Sequence, residues 1–212
     1  MSLCAEAGAQ SEAEASHLLE QIKLTPDNGT LTLVTPQGSP QSQPNAHLRV
    51  RAPADAPITI NGTYAALAVR GINAPVKLTT THARITILDT TGDVDAAANE
   101  FGIVDFSGTR GHVRLHAATE ININLPDQRF DGTLEAVAER PVRVVLPPGS
   151  DTPFEAVVAH ARDFVCRADI CGKVKATKRD GNAVFTFGVG EPLLRFRSMN
   201  GPVVIDNAGG GR

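Results

Sequence analysis

The sequence predicts an all-β fold, a single-chain parallel β-helix or β-solenoid, and three observations support this. Apolar-x-apolar triplets recur from Leu67 to Ile123, with one triplet about every nine residues. Nine residues hold one short strand and one turn but no crossover helix. Glycine or Ala-Pro positions fall just before several triplets, where the chain must bend without bulk. Aromatic residues make up only 4% of the chain, which suits a narrow interior filled by aliphatic side chains. The triplets begin at Leu67, Val76, Ile85, Val94, Val104, Val113 and Ile121.

Alternate triplets are related by a longer period, which indicates a coil of about 18 residues with two strands. Each strand would stack in parallel on its equivalent in the next coil, and we expect the solenoid to be right-handed. An antiparallel β-sandwich is the alternative, since it also has short alternating strands with a turn about every 8–12 residues.

Outward side chains distinguish these two folds. If alternate triplets stack, one outward column carries charges of alternating sign, with neighbours separated by about 4.8 Å. Such cross-strand pairs contribute about 0.2–1 kcal/mol each, and a sandwich does not predict them. The predicted column is Lys77, Asp95, Arg114 and Glu135.

The same alternation predicts the interior, because residues two apart on a strand point to the same side. The large apolar members of the triplets should therefore be buried. They are Val76, Leu78, Ile85, Ile87, Val94, Val104, Phe106, Val113, Leu115, Ile121 and Ile123.

Residues 1–45 are predicted to form a separate N-terminal segment. A capping-box pattern at Ser11 to Glu14 precedes residues 15–22, which place Leu18, Leu19 and Ile22 on one helical face. We therefore expect a short helix that closes one end of the solenoid or its flank. A hairpin between residues 22–24 and 31–34 should follow, and then a Pro-, Gln- and Ser-rich loop up to residue 45.

The solenoid itself is predicted over residues 46–207. Residues 151–171 break the regular triplet spacing and are interpreted as an irregular insertion. Residues 208–212 form a glycine-rich end that we interpret as a flexible tail.

Charge and hydropathy exclude two kinds of partner. A net charge of −3 gives no basic surface for nucleic acid. The sequence has no apolar run of about 18 residues, so we expect no membrane-spanning segment. Met1-Ser2-Leu3 lacks the features of a signal peptide, and any export signal is expected to have been removed ahead of it. Cys4 lies where a lipoprotein attachment cysteine would be, although Ser2-Leu3 does not form a lipobox.

Acid–base chemistry has two candidate pairs on adjacent coils. His82 and Glu100 are separated by the length of one coil, and so are Asp93 and His112. Polar turn residues produce such coincidences readily, so we predict no catalytic residue and no enzyme activity. His112 and His116 have the i, i+4 spacing that binds a metal only on a helix, and this stretch is predicted as strand and turn. No metal or cofactor is expected.

Cys166 and Cys171 form a candidate disulfide. Four residues separate them, and a loop of this length permits the Cα distance that a disulfide needs, about 4.4–6.8 Å. An oxidising compartment would favour the bond, whereas two buried thiols are the alternative.

Recurring Gly-x-apolar-x-apolar phrases at Gly111 to Leu115 and Gly201 to Ile205 resemble the bacterial putative-adhesin family. This β-helix domain of uncertain function is related to the head domains of autotransporter adhesins, and the likeness covers roughly residues 46 to 207. It implies an extracytoplasmic module, periplasmic or on the cell surface, with no catalytic residues to carry over. Several turns here have Ala-Pro or Ala-Arg where the family has Ser-Gly.

The function expected from these observations is a non-enzymatic adhesin-like or scaffold module of the bacterial cell envelope. A surface polysaccharide or another envelope protein would be its partner. The alternative is a polysaccharide-binding or polysaccharide-degrading β-helix protein. The sequence does not specify an oligomeric state.

Overall fold

A computed structural model describes residues 2–8, 11–27, 30–34, 43–191 and 193–209. The chain divides into two compact units, Met1–Ala52 and Pro53–Arg212. The first unit therefore ends at Ala52, whereas the sequence indicated a boundary after residue 45.

The first unit contains one helix and two antiparallel strand pairs in its described part. Its elements are β1 (Ser2–Gly8), α1 (Glu12–Gln21), β2 (Lys23–Asp27), β3 (Thr30–Val34) and β4 (Gln43–Arg49). β1 pairs with β4, and β2 pairs with β3 in the predicted hairpin. The hairpin turn at residues 28–29 and most of the predicted loop, residues 35–42, lie outside the described residues.

Helix α1 begins at Glu12, directly after Ser11, which is its N-cap as the capping-box pattern predicted. The Ser11 hydroxyl accepts a hydrogen bond from the backbone N–H of Glu14 at 3.2 Å, which satisfies one of the free donors of the first turn. Leu18 is buried, whereas Leu19 is 39% exposed, so the apolar face of the helix is narrower than predicted.

The second unit is built from short strands that alternate between two sheets. Its elements are β5 (Ile58–Asn61), β6 (Leu67–Arg70), β7 (Val76–Thr80), β8 (Arg84–Thr90), β9 (Val94–Ala98), β10 (Ile103–Gly108), β11 (Arg110–Ala117), β12 (Glu120–Asn124), β13 (Asp131–Ala138), β14 (Val142–Leu146), β15 (Phe154–Val158), β16 (Phe164–Cys166), β17 (Lys175–Arg179), β18 (Asn182–Phe187), β19 (Leu194–Ser198) and β20 (Val203–Asn207), with 3₁₀ segments at Ala161–Asp163 and Asp169–Lys173.

The described part of this unit contains two sheets. The nine-stranded sheet has the strand order β5-β7-β9-β11-β13-β19-β15-β18-β17, and the seven-stranded sheet has the order β6-β8-β10-β12-β14-β20-β16. Val76 pairs with Val94 and Val94 with Val113, in parallel, so equivalent positions recur once in each coil of the predicted length. The fold is the predicted β-solenoid, and the antiparallel sandwich is excluded.

The interior lies between the two sheets and is filled by the inward members of each triplet. All eleven predicted core residues are buried, each no more than 2% exposed. Because equivalent strands stack in register, apolar side chains form columns. In the seven-stranded sheet, for example, Ile87, Phe106 and Ile123 lie on successive strands.

A column of glycines forms one corner of the solenoid, where the chain enters the nine-stranded sheet. A Cβ atom on Gly111 would lie 2.5 Å from the carbonyl oxygen of Gly92, and one on Gly132 would lie 2.3 Å from that of Gly111. Gly111 and Gly132 also have positive φ angles of 116° and 133°. Only glycine lets the coils approach this closely in this conformation.

The C-terminal strands change the order of the coils. β19 lies between β13 and β15, and β20 lies between β14 and β16, with all four of these pairings parallel. The last coil in the sequence is therefore inserted between the two coils that precede it. β15, β18 and β17 then continue the nine-stranded sheet with antiparallel pairs.

Residues 151–171, interpreted from the sequence as an insertion, contribute β15 and β16 to the two sheets. The regular spacing is interrupted before β15, because twelve residues separate the starts of β14 and β15, whereas ten separate the starts of β15 and β16. Ala208, the first residue of the predicted tail, is hydrogen-bonded to β14 of the seven-stranded sheet. The backbone N–H of Ala208 donates to the carbonyl of Leu146 at 2.8 Å, while residues 210–212 lie outside the described residues.

Candidate functional site

The predicted charge column lies on the outer face of the nine-stranded sheet. Lys77 pairs in register with Asp95, Asp95 with Arg114, and Arg114 with Glu135. Insertion of β19 extends the alternation, because Glu135 next meets Arg195 and Arg195 meets Glu155. We call these six residues the charge ladder. The sequence did not indicate the last two, since their place depends on the order of the strands.

The ladder is a surface feature. Five of its members are exposed and Glu155 is half-buried, so water and salt screen their attraction. Arg179 donates to Glu155 at 2.8 Å. This hydrogen bond, together with the negative charge of Glu155, raises the pKa of Arg179 above its ordinary value. The ladder is thus linked to the end of β17.

An open depression of about 320 Å³ lies at the Glu155 end of this ladder. Its lining includes three arginines and three carboxylates, so their formal charges balance. They are Arg179, Arg195, Arg197, Glu135, Glu155 and Asp180. Because the opposite charges lie side by side, the depression favours no ligand of one sign.

The seven-stranded sheet carries a second row of polar side chains. Asp105 accepts a hydrogen bond from the amide nitrogen of Asn122 at 2.9 Å and forms an ion pair with Arg84. Farther along this sheet, Arg143 donates to Glu120 at 3.2 Å. Both sheets therefore present outward polar groups that are fixed at the spacing of the strands.

The two candidate acid–base pairs differ in the structure. The Glu100 carboxylate lies in direct contact with Nε2 of His82, so their side chains meet. Asp93 instead accepts a hydrogen bond from the backbone N–H of His112 at 2.9 Å, while the His112 ring lies 3.0 Å from the hydroxyl of Thr133. Only the first pair brings a ring and a carboxylate together.

His112 and His116 both lie on β11 and therefore cannot share a metal ion. Four residues of strand separate them by about 13 Å, because a strand rises about 3.3 Å per residue. Among the described residues, no group of three His, Cys, Asp or Glu side chains could hold a metal ion.

Two aromatic side chains flank the His82 ring at the turns that lead from the nine-stranded to the seven-stranded sheet. The ring centroid of Tyr64 lies 4.7 Å from that of His82 with 22° between the planes, and that of Phe101 lies 5.8 Å away with 38° between them. Tyr64 and Phe101 are each 76% exposed. We call Tyr64, His82, Glu100 and Phe101 the aromatic corner.

Local backbone structure fixes this corner. The N–H groups of Thr81 and His82 both donate to the carbonyl of Thr63, at 3.1 and 3.0 Å, which ties two successive turns together. Glu100 has a positive φ of 55°, and a Cβ atom on Gly102 would lie 2.5 Å from that of Ala98. The tight turn therefore directs Phe101 outward and Glu100 toward His82.

Sequence reasoning identified His82 and Glu100 but missed Tyr64 and Phe101. The signal was present, because Tyr64, His82 and Phe101 follow one another at the same period as the coils. Applying the coil period to the turns as well as to the strands would have aligned the three rings.

No protein-family model matches the chain, and comparisons with curated proteins and with solved structures found no match.

In the part of the chain that the structure describes, no helix is long and apolar enough to cross a membrane. The structure joins Cys166 to Cys171 by a disulfide, with their Cα atoms 5.7 Å apart. This bond ties the end of β16 to the 3₁₀ segment Asp169–Lys173. Cys4 lies in β1 of the first unit.

Proposed function

We propose that the protein is a non-enzymatic, adhesin-like or scaffold module of the bacterial cell envelope. The observation that carries this proposal is the charge ladder, in which six side chains of alternating sign follow one another across adjacent strands. A rigid row of this kind suits recognition of an extended partner, because each contact is weak alone and repeats at a fixed spacing.

The disulfide supports an extracytoplasmic location. Disulfides persist in the periplasm and on cell surfaces, whereas the cytosol keeps most thiols reduced. The Cys166–Cys171 bond lies in the connection that follows β16, where it restrains an irregular segment. We therefore propose a periplasmic or cell-surface location.

A binding experiment tests the adhesive function. Fluorescently labelled full-length protein is mixed with washed bacterial cells and, separately, with their purified surface polysaccharide and envelope proteins immobilised on beads. The control is the double variant Arg114→Gln, Glu135→Gln, which removes one charge of each sign and leaves the net charge unchanged. We expect saturable binding that weakens at least several-fold in this variant and in high salt.

The proposal is wrong if the wild-type protein binds none of these surfaces. Extracytoplasmic placement is checked separately by antibody labelling of intact and permeabilised cells, and labelling only after disruption of the inner membrane would contradict it.

A polysaccharide-degrading enzyme is the second candidate, favoured by the contact between His82 and Glu100. Positioned side chains of these types can transfer protons. Incubation with a panel of bacterial and plant polysaccharides, followed by measurement of new reducing ends, decides between the two candidates. Chain cleavage that His82→Gln abolishes would establish the enzyme and overturn the non-enzymatic proposal.

A further inference from the structure

The aromatic corner exposes two rings in a protein that buries several of its other aromatic side chains. The chain has eight phenylalanines, one tyrosine and no tryptophan, and four of the phenylalanines, including Phe106 and Phe154, are among the largest fully buried side chains. Tyr64 and Phe101 are instead 76% exposed, with the His82 ring between them. A single exposed apolar residue is ordinary, but an ordered row of rings indicates a binding surface.

From this geometry we propose that the aromatic corner is a binding site for the sugar rings of a neutral polysaccharide. One face of Tyr64 packs on His82, so its opposite face and edge remain exposed for a ligand. A sugar ring has an apolar face of C–H groups that packs on an aromatic ring, and a rim of hydroxyls that forms hydrogen bonds. The Tyr64 hydroxyl and the Glu100 carboxylate, with its side chain 55% exposed, supply polar partners beside the rings.

The corner also continues along the solenoid with polar groups. The next two coils place Thr119 and Arg140 at the equivalent turns, where the N–H of Thr119 donates to the carbonyl of Gly102 and that of Arg140 to the carbonyl of Thr119. Thr119 is half-buried and Arg140 is exposed. An extended chain lying along this edge would therefore meet rings first and hydrogen-bonding groups next.

Two other ligand classes fit the corner less well. Nucleic-acid bases stack on aromatic side chains, but their phosphates would meet Glu100 and a protein of net charge −3. A quaternary ammonium group binds in a cage whose ring faces surround it. Here the rings lie in a row, with only 22° between the planes of Tyr64 and His82, and enclose no space for such a group.

This inference rests on the proposed function, since it names the ligand class of one surface of the same module. The chain supplies its own reporter, because Tyr64 is the single tyrosine and there is no tryptophan. A sugar ring stacked on Tyr64 should change its fluorescence and protect it from quenching by acrylamide. The signal therefore reports occupancy of the corner and not binding elsewhere on the protein.

The test combines this signal with electrophoresis of the full-length protein in gels that contain a neutral polysaccharide. The panel comprises β-glucan, mannan, galactomannan, dextran and soluble chitin fragments, with polyuridylate and tetramethylammonium as competing ligand classes. We expect at least one neutral polysaccharide to retard the protein and to protect Tyr64 from quenching. Tyr64→Ala and Phe101→Leu should each weaken the retardation at least tenfold, whereas Tyr64→Phe should weaken it less.

Matched controls separate this site from the rest of the protein. Val189→Ala removes an exposed apolar side chain from the turn between β18 and β19, outside both the aromatic corner and the charge ladder, and should leave polysaccharide binding unchanged. The proposal is overturned if no neutral polysaccharide retards the protein, if the ring variants bind as the wild type does, or if polyuridylate or tetramethylammonium alone protects Tyr64. If the ring variants bind neutral polysaccharide as the wild type does while attachment to cells persists, the corner site is refuted and the adhesive function stands.

Discussion

Substitution of Gly111 by alanine should destabilise the second unit by about 3 kcal/mol. A Cβ atom at this position would lie 2.5 Å from the carbonyl oxygen of Gly92, closer than real Cβ atoms come, and the neighbour is backbone that cannot rotate away. An alanine held at the positive φ of Gly111 strains the backbone by about 1–3 kcal/mol. The steric overlap of its Cβ atom adds about 1–3 kcal/mol. Restriction of the unfolded chain by alanine offsets only about 0.4–1 kcal/mol of this.

Gly71→Ala is the matched control, because Gly71 has a positive φ of 68° but, apart from its two chain neighbours, no residue comes within 4 Å of a Cβ atom placed there. This variant has the conformational cost of alanine in the left-handed region, about 1–2 kcal/mol. The restriction of the unfolded chain by alanine again offsets part of that cost. We therefore expect Gly71→Ala to cost about 1 kcal/mol. The difference between the two variants, about 2 kcal/mol, measures the close stacking of adjacent coils.

Urea unfolding followed by Tyr64 fluorescence measures both variants, because this tyrosine lies in the second unit. The transition midpoint should fall while its slope stays unchanged, because the substitution changes stability but not the surface that unfolding exposes. If Gly111→Ala were no less stable than Gly71→Ala, the coils would not pack through glycine at this corner, and the physical account of the coil spacing would be wrong.

Three further predictions concern the core, the surface and the disulfide. Ile87→Ala should lower the free energy of unfolding by about 2–5 kcal/mol because Ile87 is fully buried, and Ile87→Val should lower it by about 0.5–1.5 kcal/mol. Equal effects of the two substitutions would contradict tight packing around Ile87. Arg114→Glu should lower the free energy of unfolding by about 1–2 kcal/mol in low salt, because the new carboxylate faces carboxylates on both neighbouring strands. Most of this loss of stability should disappear at about 1 M salt, and a loss that does not depend on salt would contradict the electrostatic cause. Thiol titration of unreduced, denatured protein should find one reactive cysteine, Cys4, since Cys166 and Cys171 are bonded; three would refute the bond. Reduction should cost about 2 kcal/mol, because the loop that the bond closes is short, and circular dichroism should show that the solenoid remains folded.

The resemblance to the putative-adhesin family remains a prediction about origin and location. The experiments on stability and on the disulfide do not depend on it, since each follows from contacts in this chain.

The sequence determined the repeating part of the fold because that part depends on local spacing. A period of nine residues leaves room for a strand and a turn, and apolar residues two apart must face the same side. The parallel register of Val76 and Val94 was predicted from the coil period together with the alternating charges of Lys77, Asp95 and Arg114. The pairing of Cys166 with Cys171 was equally local, because it needed only a short loop.

The aromatic corner was only half visible in the sequence. His82 and Glu100 were identified from the sequence as a candidate acid–base pair, because their side chains can exchange protons. Tyr64 and Phe101 resemble ordinary residues of a turn and were not identified. The outward direction of Phe101 depends on the backbone at Glu100 and Gly102, where a positive φ and a close approach to Ala98 shape the turn.

Only the tertiary structure decided the order of the last coils. Strands β13, β15 and β19 present the same alternation of buried and outward residues, so any of them can pair with any other as far as local pattern is concerned. The chain places β19 between the other two, and this long-range choice gives the charge ladder its last two members, Arg195 and Glu155. Strand order is settled by competition among sheet edges that are distant in sequence, and the period of a single strand carries no information about which edge it will meet.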